Sequence, residues 1–307
     1  MRIFDAEAVR QAITMRQAID AVREGFIALS TGRANVPVRG SLPVEGNITL
    51  TMPAYIHGSP VSIVKVVSVY PGNGQRKLPT VLGSVLVLDA STGEPIALAD
   101  GAALTAIRTG AASGLATELL ALPDAHILAV MGAGKQARTQ VEAICTVRPI
   151  DQIRVYSLFG AEEFAQELRE LYQADVSVAA NSHDALQGAQ IVAAATNTQT
   201  PVVHVGDLSA GVHINGIGSF RPDMQEIASD VVQRAKIIVD HRASAWHEAG
   251  DLIIPRDQGL ISESSVYAEI GEIAAGLRPG RASGDEITFF KSVGNGAQDA
   301  AVAALLL

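Results

Sequence analysis

The sequence predicts an α/β protein in which a doubly wound parallel sheet of the Rossmann type follows an α+β region. Two observations lead to this prediction. First, residues 127–130 form an apolar run that leads directly into a Gly-x-Gly-x-x-Ala turn, after which a helical pattern begins. Second, short apolar runs and helical patterns alternate from there to about residue 240, whereas the earlier part of the chain contains short β segments joined by turns. Such alternation is typical of parallel sheets covered by helices.

The amino-terminal region is predicted to be an antiparallel or mixed α+β unit. Apolar residues at helical spacing predict a pair of helices within residues 6–30. The strands predicted after them are residues 48–52, 61–69, 81–89 and 95–100. Pro-Gly-Asn-Gly at 71–74 predicts a turn, and Ala-Ser-Thr-Gly-Glu at 90–94 predicts a hairpin connection between the last two strands.

A helix over residues 104–122 is predicted to link this region to a series of parallel strands. Right-handed crossovers would bring those strands into one sheet. The final apolar helix, residues 297–307, is predicted either to return to the first domain or to form a dimer contact. Beyond the first strand, the series comprises strands at 153–157, 176–179, 191–195, 213–217 and 237–240, with helices at 161–172 and 182–188.

The turn at residues 132–137, Gly-Ala-Gly-Lys-Gln-Ala, has the spacing of a dinucleotide-binding turn. Gly132 allows the tight turn, Gly134 removes a Cβ where the backbone must approach a pyrophosphate, and Ala137 lets helix and strand pack closely. The pyrophosphate would lie against unpaired N–H groups at the positive end of the helix. The alternative is a turn with only a structural role. The dinucleotide contacts expected from this turn are Gly132, Ala133, Gly134, Gln136 and Ala137.

The sequence does not select the type of nicotinamide cofactor. Rossmann domains specific for NAD usually place Asp or Glu on the ribose hydroxyls, about 20 residues past the glycines. Here the second strand is followed by Ser157-Leu158-Phe159, with neither an acid nor an arginine. Ser157 could contact a hydroxyl or a 2′-phosphate, so NAD and NADP both stay open. Thr196 and Gly218, which follow two later predicted strands, are further expected cofactor contacts.

Three cations stand out because of their surroundings. Arg39 follows Val-Pro-Val in a loop, Lys65 is the only charge in a β-type segment, and Arg108 lies near the start of an otherwise uncharged helix. A cation in such a helix needs a partner. Arg fits a carboxylate with its planar fork, and Lys can contact a carboxylate or donate a proton. The alternative is that each is an ordinary surface or salt-bridging residue.

Composition and charge argue against several other classes of protein. The formal net charge of −9 comes without a basic block, so no nucleic-acid partner is expected. The histidines lack metal-ligand spacing, and the single cysteine, Cys145, is predicted to pack as a small hydrophobe, so no metal site is expected. No apolar run reaches the ~18 residues of a membrane span. Charge follows Met1 at once, so we expect a cytoplasmic protein without a signal peptide.

Several ordered motifs resemble those of the ornithine cyclodeaminase/μ-crystallin family. They are Leu104-Thr-x-x-Arg108-Thr-x-Ala111-x-Ser113, Gly132-Ala-Gly-Lys-Gln-Ala137, His213-Ile-Asn215-Gly-Ile-Gly218, Gly271-Glu-Ile273, Pro279-Gly-Arg281, Asp285-Glu-Ile-Thr288 and Phe290-Lys-Ser-Val-Gly294. The resemblance covers nearly the whole chain. The family includes cyclodeaminases, an alanine dehydrogenase, and ketimine or cyclic-imine reductases.

The resemblance implies two domains with different tasks. Residues 1–114 would form a substrate-binding and dimerisation domain, completed by the carboxyl-terminal helix, residues 291–307. Residues 115–290 would form the Rossmann domain, and the protein would be a homodimer built through the first domain. The resemblance further implies a substrate site formed by Arg39, Lys65, Thr80 and Arg108.

One departure from the family pattern bears on the reaction. The resemblance implies that cyclodeaminases and the alanine dehydrogenase carry an acid two positions beyond the glycine of Asn-x-x-Gly, and Phe220 occupies that position here. Phenylalanine cannot accept a proton or bind an ammonium group by charge. Asp223, three residues later, is the alternative acid. The segment Gly-Ser-Phe-Arg-Pro-Asp-Met is more similar to the imine reductases of the family.

The resulting hypothesis is an NAD(P)-dependent oxidoreductase that reduces a small carboxylated imine, such as Δ1-pyrroline-2-carboxylate or a piperideine-like ring. Arg39 and Arg108 would clamp the carboxylate, and Lys65 would contact it and help to protonate the nitrogen. Two alternatives stay open. One is cyclodeamination of ornithine to proline and ammonia with bound NAD+, and the other is a μ-crystallin-like nucleotide-binding protein with little catalysis. The expected partner is a small amino-acid or imino-acid substrate.

Overall fold

The computed structural model describes residues 1–307, which form two compact units. Unit 1 comprises residues 1–108 and 295–307, and unit 2 comprises residues 109–294. The strands are β1 (Arg2–Phe4), β2 (Ala34–Asn35), β3 (Gly40–Val44), β4 (Asn47–Ile56), β5 (Val61–Val69), β6 (Val81–Asp89), β7 (Pro95–Asp100), β8 (Ile127–Met131), β9 (Gln152–Tyr156), β10 (Asp175–Val178), β11 (Ile191–Ala194), β12 (His213–Gly216), β13 (Lys236–Val239), β14 (Val266–Glu269) and β15 (Thr288–Lys291). The helices are α1 (Ala6–Ala12), α2 (Met15–Ser30), α3 (Gly101–Leu120), α4 (Lys135–Val147), α5 (Ala161–Leu171), α6 (Ser182–Leu186), α7 (Ser229–Arg234), α8 (Arg242–Glu248), α9 (Gly250–Asp257), α10 (Ile270–Ala274) and α11 (Gly296–Ala303).

Unit 1 is built on a seven-stranded sheet with the order β1-β7-β6-β5-β4-β2, in which β3 also pairs with β4. The pairing of β1 with β7 is parallel and the others are antiparallel. The helices α2 and α11 pack together, and both contact β4. The predicted α+β character of this region is therefore confirmed.

Small residues allow α11 to approach the rest of unit 1 closely. A Cβ at Gly25 of α2 would lie 3.0 Å from the Cβ of Ala301 and 3.1 Å from the carbonyl oxygen of Ala297. A Cβ at Gly296 would lie 2.9 Å from the Cβ of Ala54 on β4. Close backbone approach of this kind requires glycine or alanine at the contact. The polar residues of α11 consequently lie against the core of unit 1 instead of in solvent.

Unit 2 contains an eight-stranded, all-parallel sheet with the order β10-β9-β8-β11-β12-β15-β13-β14. The direction of winding reverses at β8, because β9 and β10 lie on one side of it and β11 and β12 on the other. In open α/β sheets, ligands bind outside the carboxyl ends of the strands at such a reversal. The Rossmann-type prediction is confirmed.

Alternate residues of β8 belong to two different apolar clusters of unit 2. Leu128 and Val130 pack with apolar residues of α4 and α5, whereas Ala129 and Met131 pack with those of α6, α7 and α9. All four side chains are fully buried. A strand that is covered on both faces is apolar throughout, which is why β8 appears in the sequence as a continuous apolar run.

Two strands of the parallel sheet, β14 and β15, were not among those predicted from the sequence. β15 lies in the interior of the sheet between β12 and β13. Its first and last residues, Thr288 and Lys291, are polar but fully buried. A search for apolar runs therefore misses this strand. In unit 1, the segment predicted as a turn at 71–74 begins a 3-10 helix, Pro71–Arg76.

Two further features of the helices concern their length and the single cysteine. No helix combines the length and apolar composition needed to cross a membrane. Cys145 is half-buried in α4, and burial raises the pKa of its thiol to about 12. Because the thiolate is the reactive form of cysteine, this residue is unreactive at neutral pH and acts as a packing residue.

Candidate active site

Arg108 lies in the first half of α3 and is buried with a carboxylate partner. Its Nε donates a hydrogen bond to Asp299 Oδ1 at 3.1 Å, and its Nη1 donates to Gln298 Oε1 at 2.7 Å. Both acceptors are on α11 and are fully buried. Charge-assisted hydrogen bonds of this type are among the stronger polar contacts in proteins, so the guanidinium is held in one orientation.

Lys65 projects from β5 to the same carboxylate. Its Nζ lies 3.1 Å from Asp299 Oδ1 and 3.3 Å from Oδ2. Lys65 is opposite Met52 on β4 and Val85 on β6, and its side chain is only 3% exposed. The sequence left open whether this lysine faces solvent or a protected site, and the structure places it in the protected one.

The charges of this cluster do not balance. Lys65 and Arg108 carry two positive charges, and Asp299 supplies one negative charge between them. Two amide nitrogens at the start of α11, Nδ2 of its N-cap residue Asn295 and Nε2 of Gln298, are buried without a hydrogen-bond partner. Buried charges and buried donors are costly unless they are paired. The cluster therefore offers an excess positive charge and free donors, which suit an anionic group such as a carboxylate.

Burial lowers the pKa of Lys65 from its ordinary range to about 8. The positive charges of Arg108 and Arg39 lower it further, whereas the charge and hydrogen bond of Asp299 act in the opposite direction. At neutral pH the ammonium form therefore predominates, but its proton is held less tightly than that of an exposed lysine. An amine tuned in this way is suited to proton transfer near neutral pH.

The other two predicted substrate contacts lie at different distances from this cluster. Arg39 is half-buried in the loop before β3, and its charge acts on Lys65. Thr80 is exposed directly before β6, and its carbonyl oxygen accepts a hydrogen bond from the N–H of Tyr70. Its neighbour Val81 pairs with Val69, four residues along β5 from Lys65. The charge of Arg39 thus reaches the cluster, whereas Thr80 forms no hydrogen bond with any of its members.

Asp299 and Gln298 were missed in the sequence because they lie in the apolar carboxyl-terminal segment. They form the only polar pair between Ala297 and Leu307. A carboxylate within an otherwise apolar helix must be paired if that helix is buried. The same pattern, a charged residue within an otherwise apolar helix, singled out Arg108 in α3. Applied to both helices, it could have predicted that Arg108 and Asp299 form a pair.

The predicted dinucleotide turn has the geometry that its glycines suggested. Gly132 has φ of 105°, and a Cβ there would lie 2.7 Å from the carbonyl oxygen of Ala195. Gly134 is the N-cap of α4, where no side chain caps the helix, and a Cβ would meet no atom within 4 Å. Ala137 is fully buried between helix and sheet. The open space at Gly134 and the uncapped N–H groups of α4 fit a pyrophosphate.

The remaining predicted cofactor contacts lie near the carboxyl ends of neighbouring strands. Thr196 and Gly218, which follow β11 and β12, are both hydrogen-bonded to the side chain of Glu226. Gln136 has a buried Oε1 atom without a hydrogen-bond partner. Ser157 follows β9, and its hydroxyl donates to the carbonyl oxygen of Phe159. These positions therefore surround the strand ends at which ligands of such sheets bind.

A comparison with known proteins identifies the family of this chain. A model of the ornithine cyclodeaminase/mu-crystallin family matches residues 2–307. The chain belongs to the ornithine cyclodeaminase/μ-crystallin family. The family recognised from the motifs is therefore confirmed over the length of the chain.

Relatives within the ornithine cyclodeaminase/μ-crystallin family include reductases and dehydrogenases. The chain is 40% identical to a Δ1-pyrroline-2-carboxylate reductase of Bacillus cereus over 311 aligned positions, covering 100% of the chain and 95% of that protein. It is similar to the solved structure of Thermococcus litoralis Δ1-pyrroline-2-carboxylate reductase in complex with NADH and L-proline, with a TM-score of 0.94, 40% identity, and coverage of 100% and 96%. It is also similar to an archaeal alanine dehydrogenase dimer with bound NAD, with a TM-score of 0.93, 33% identity, and coverage of 100% and 94%.

Phe220, at the position where cyclodeaminases of the family are expected to have an acid, lies in the loop after β12 and is 50% exposed. Asp223, the alternative acid, is exposed and paired with Arg221 at 2.8 Å. The Arg221 hydrogen bond lowers the pKa of Asp223, and Gln199 Nε2 donates to the same carboxylate. Asp223 is thus held as a carboxylate by its neighbours, which makes it a poor proton acceptor.

Proposed function

We propose that this protein is an NAD(P)-dependent oxidoreductase that reduces a small carboxylated cyclic imine of the Δ1-pyrroline-2-carboxylate class. The observation that carries the proposal is the buried pair of cations, Lys65 and Arg108, which share the single carboxylate of Asp299. Unit 1 would bind the substrate, and unit 2 would bind the dinucleotide. The similarity to Δ1-pyrroline-2-carboxylate reductases supports this substrate class.

The carboxylate of the substrate would be bound by Arg108 and Arg39. Arg108 already donates from Nε and Nη1 to Asp299 and Gln298, so its orientation is set before the substrate arrives. Holding the carboxylate fixes the position of the adjacent imine carbon, and orientation of this type removes much of the entropic barrier to reaction. A planar guanidinium can bind a carboxylate with two parallel hydrogen bonds, which a lysine cannot do.

Lys65 would supply the proton that the imine nitrogen gains when the ring is reduced. Its pKa of about 8 leaves it protonated at neutral pH, and Asp299 holds its Nζ in place at 3.1 Å. After transfer, the neutral amine would be reprotonated from solvent. A general acid whose pKa is close to the working pH is the most effective kind.

The residues of unit 2 fit a nicotinamide dinucleotide. The turn at Gly132 and Gly134 leaves room for a pyrophosphate, and the N-terminus of α4 presents its N–H groups there. When bound in its reduced form, this cofactor supplies a hydride to the imine carbon. Ser157 follows β9 without an acidic neighbour, so NADH and NADPH are both candidates.

The proposal is tested by following oxidation of NADH and NADPH with a panel of cyclic imino acids that includes Δ1-pyrroline-2-carboxylate and its six-membered analogue. Ornithine with NAD+ is assayed in parallel for ammonia. Oxidation of either cofactor with an imino acid is the expected result, and it also reports the cofactor preference. Ammonia release from ornithine without imine reduction would contradict the proposal and favour cyclodeamination. Tight dinucleotide binding without turnover of any substrate would favour a binding protein.

We further propose that the protein is a homodimer that buries the open face of the unit 1 sheet. Val64 on β5 is opposite Leu86 on β6, and Leu86 is opposite Leu98 on β7. These apolar residues are half-buried, and Val66 beside them is 37% exposed. The similarity to a dimeric alanine dehydrogenase supports this assembly. Light scattering after gel filtration should give twice the mass of the chain, and Leu86→Glu should shift it to the monomer.

A further inference from the structure

Glu226 is a fully buried carboxylate to which the proposed chemistry assigns no task. It accepts four hydrogen bonds. Its Oε1 accepts from the backbone N–H of Thr196 at 2.6 Å and from the Thr196 hydroxyl at 2.8 Å. Its Oε2 accepts from the N–H of Gly218 and, at 3.2 Å, from the N–H of Ser219. One side chain therefore fixes the backbone that follows β11 and the backbone that follows β12.

These two loops approach so closely that no side chain fits between them. A Cβ at Gly218 would overlap the carbonyl oxygen of Thr196 and would lie 2.6 Å from Glu226 Oε1. The Gly132 turn after β8 lies beside them, because a Cβ there would be 2.7 Å from the carbonyl oxygen of Ala195. The ends of three adjacent strands thus meet where the winding of the sheet reverses, which is where α/β sheets bind their ligands.

The charged residues beside Glu226, Lys291 and Asp251, form no hydrogen bond with its carboxylate oxygens. Both oxygens therefore hold the loops after β11 and β12. Lys291 pairs with Asp251 at 3.0 Å, and Asp251 Oδ1 accepts from the backbone N–H groups of Glu226 and Ile227 at 2.7 and 3.0 Å. Lys291 is therefore engaged by Asp251, and Asp251 holds the main chain that carries Glu226. The Glu226 carboxylate itself is satisfied by loop donors.

We propose that Glu226 is a positioning residue for the dinucleotide, whose carboxylate fixes Thr196 and Gly218 in the conformation that receives the cofactor. The inference rests on the proposed function, since it requires that the protein bind a nicotinamide dinucleotide. Glu226 does not contact the reacting atoms and acts through the two loops.

Holding both loops requires a carboxylate, because each of its two oxygens must accept hydrogen bonds from one loop. In a glutamine, one oxygen is replaced by an amino group that would face at least one backbone N–H group, whichever way the amide is turned. Protonation of Glu226 has a similar consequence, because it places a hydrogen on an oxygen that faces a backbone N–H group. Burial and the charge of Asp251 raise the pKa of Glu226 to about 7, against the effect of Lys291 and of the hydrogen bonds from Thr196. The loops would therefore loosen as pH falls below neutral.

The first test compares NADH or NADPH affinity, measured by titration of cofactor fluorescence, in the wild-type protein, Glu226→Gln and Glu272→Gln. Glu272 is the matched control, since its Oε2 accepts from Glu269 N–H and Arg242 Nη1, at 2.7 and 2.8 Å, beside the edge strand β14. We expect Glu226→Gln to weaken cofactor binding by about tenfold or more and Glu272→Gln by less than about twofold. Equal affinity in Glu226→Gln and the wild-type protein would overturn the inference. If the wild-type protein binds neither cofactor, the proposed function fails instead.

A second test starts from the wild-type protein, so that it can contradict the inference even if Glu226→Gln does not fold. The affinity of the wild-type protein for the cofactor is measured from about pH 6 to about pH 8, a range that spans the titration of a carboxyl with a pKa near 7. Affinity should rise with pH through this range, and a folded Glu226→Gln should not show this rise. A wild-type affinity that is independent of pH would overturn the inference, as would an unchanged pH dependence in the variant.

Discussion

The two units bury charged clusters of opposite balance. In unit 1, two cations, Lys65 and Arg108, share the carboxylate of Asp299. In unit 2, two carboxylates, Glu226 and Asp251, lie beside a single cation, Lys291. Both clusters are almost completely removed from solvent. They differ in how the surplus charge is satisfied.

The surplus negative charge of unit 2 is satisfied by the protein itself. Backbone N–H groups and the Thr196 hydroxyl occupy both oxygens of Glu226, and two N–H groups occupy Asp251 Oδ1. In unit 1, no second carboxylate pairs with Lys65 or Arg108, and amide nitrogens of Asn295 and Gln298, at the start of α11, lack hydrogen-bond partners. A cluster completed by backbone holds loops in place, whereas a cluster left incomplete is suited to bind a ligand.

The largest expected effect is on the stability of unit 2. Lys291→Met removes the cation that pairs with Asp251 and acts on Glu226, and leaving a buried charge unpaired typically costs about 3–5 kcal/mol. We expect the free energy of unfolding, measured by urea denaturation, to fall by this amount. Lys65→Met is the counterpart in unit 1 and should cost less, because Asp299 keeps Arg108 at 3.1 Å. Equal losses in the two variants would contradict the contrast between the clusters.

The next effect is on turnover. Arg108→Ala removes the guanidinium proposed to bind the substrate carboxylate, and kcat/KM for the imino acid should fall on the order of 100-fold. Arg108→Lys should recover only part of this loss, because an ammonium cannot form two parallel hydrogen bonds. Arg10→Ala is the control, since Arg10 forms an exposed pair with Glu7 at 3.3 Å. Near-normal kcat/KM in Arg108→Ala would exclude the carboxylate clamp.

A smaller effect is expected at Asp299, which raises the pKa of Lys65 through its charge and hydrogen bond. In Asp299→Asn this support is lost, so Lys65 should lose its proton at lower pH than in the wild-type protein. The alkaline limb of kcat/KM should shift to lower pH, and at about pH 8 activity should fall on the order of tenfold. An unshifted alkaline limb would show that Asp299 does not control the protonation of Lys65.

The smallest expected effect is the dependence of kcat/KM on pH in the wild-type protein, which can be measured without any substitution. The pKa of Lys65 is lowered to about 8 by burial, so the protonated form that acts as general acid is lost as pH rises through that value. For imine reduction at saturating cofactor, kcat/KM should be highest below about pH 8 and should fall above it. A profile that stays level well above that pH would remove Lys65 from the role of proton donor.

The sequence predicted most of the elements whose pattern is local. The apolar run before Gly132 and the spacing of the glycines identified β8, the turn and α4, because both faces of β8 are buried and every residue is apolar. The central strand β15 was missed because Thr288 and Lys291 are polar. Their burial depends on partners far away in the chain, His213 for Thr288 and Asp251 for Lys291.

The candidate site was predicted only in part, because some of its residues are paired with partners that are distant in the chain. Lys65 and Arg108 stood out because each is a lone charge in an apolar segment. Their partner Asp299 lies 191 residues beyond Arg108, and no local pattern connects the two. Glu226 gave no signal either, since it follows a polar loop and becomes buried only when the ends of β11 and β12 close around it.

The central claim is that the surplus positive charge of unit 1 binds a carboxylate. It is tested most directly by calorimetric titration of the protein, in the presence of the oxidised cofactor, with proline and with prolinamide, which has the same ring without the carboxylate. We predict that proline binds and that prolinamide binds at least about 100-fold more weakly, with the difference lost in Arg108→Ala. Equal affinity for the two ligands would show that the cations do not recognise a carboxylate.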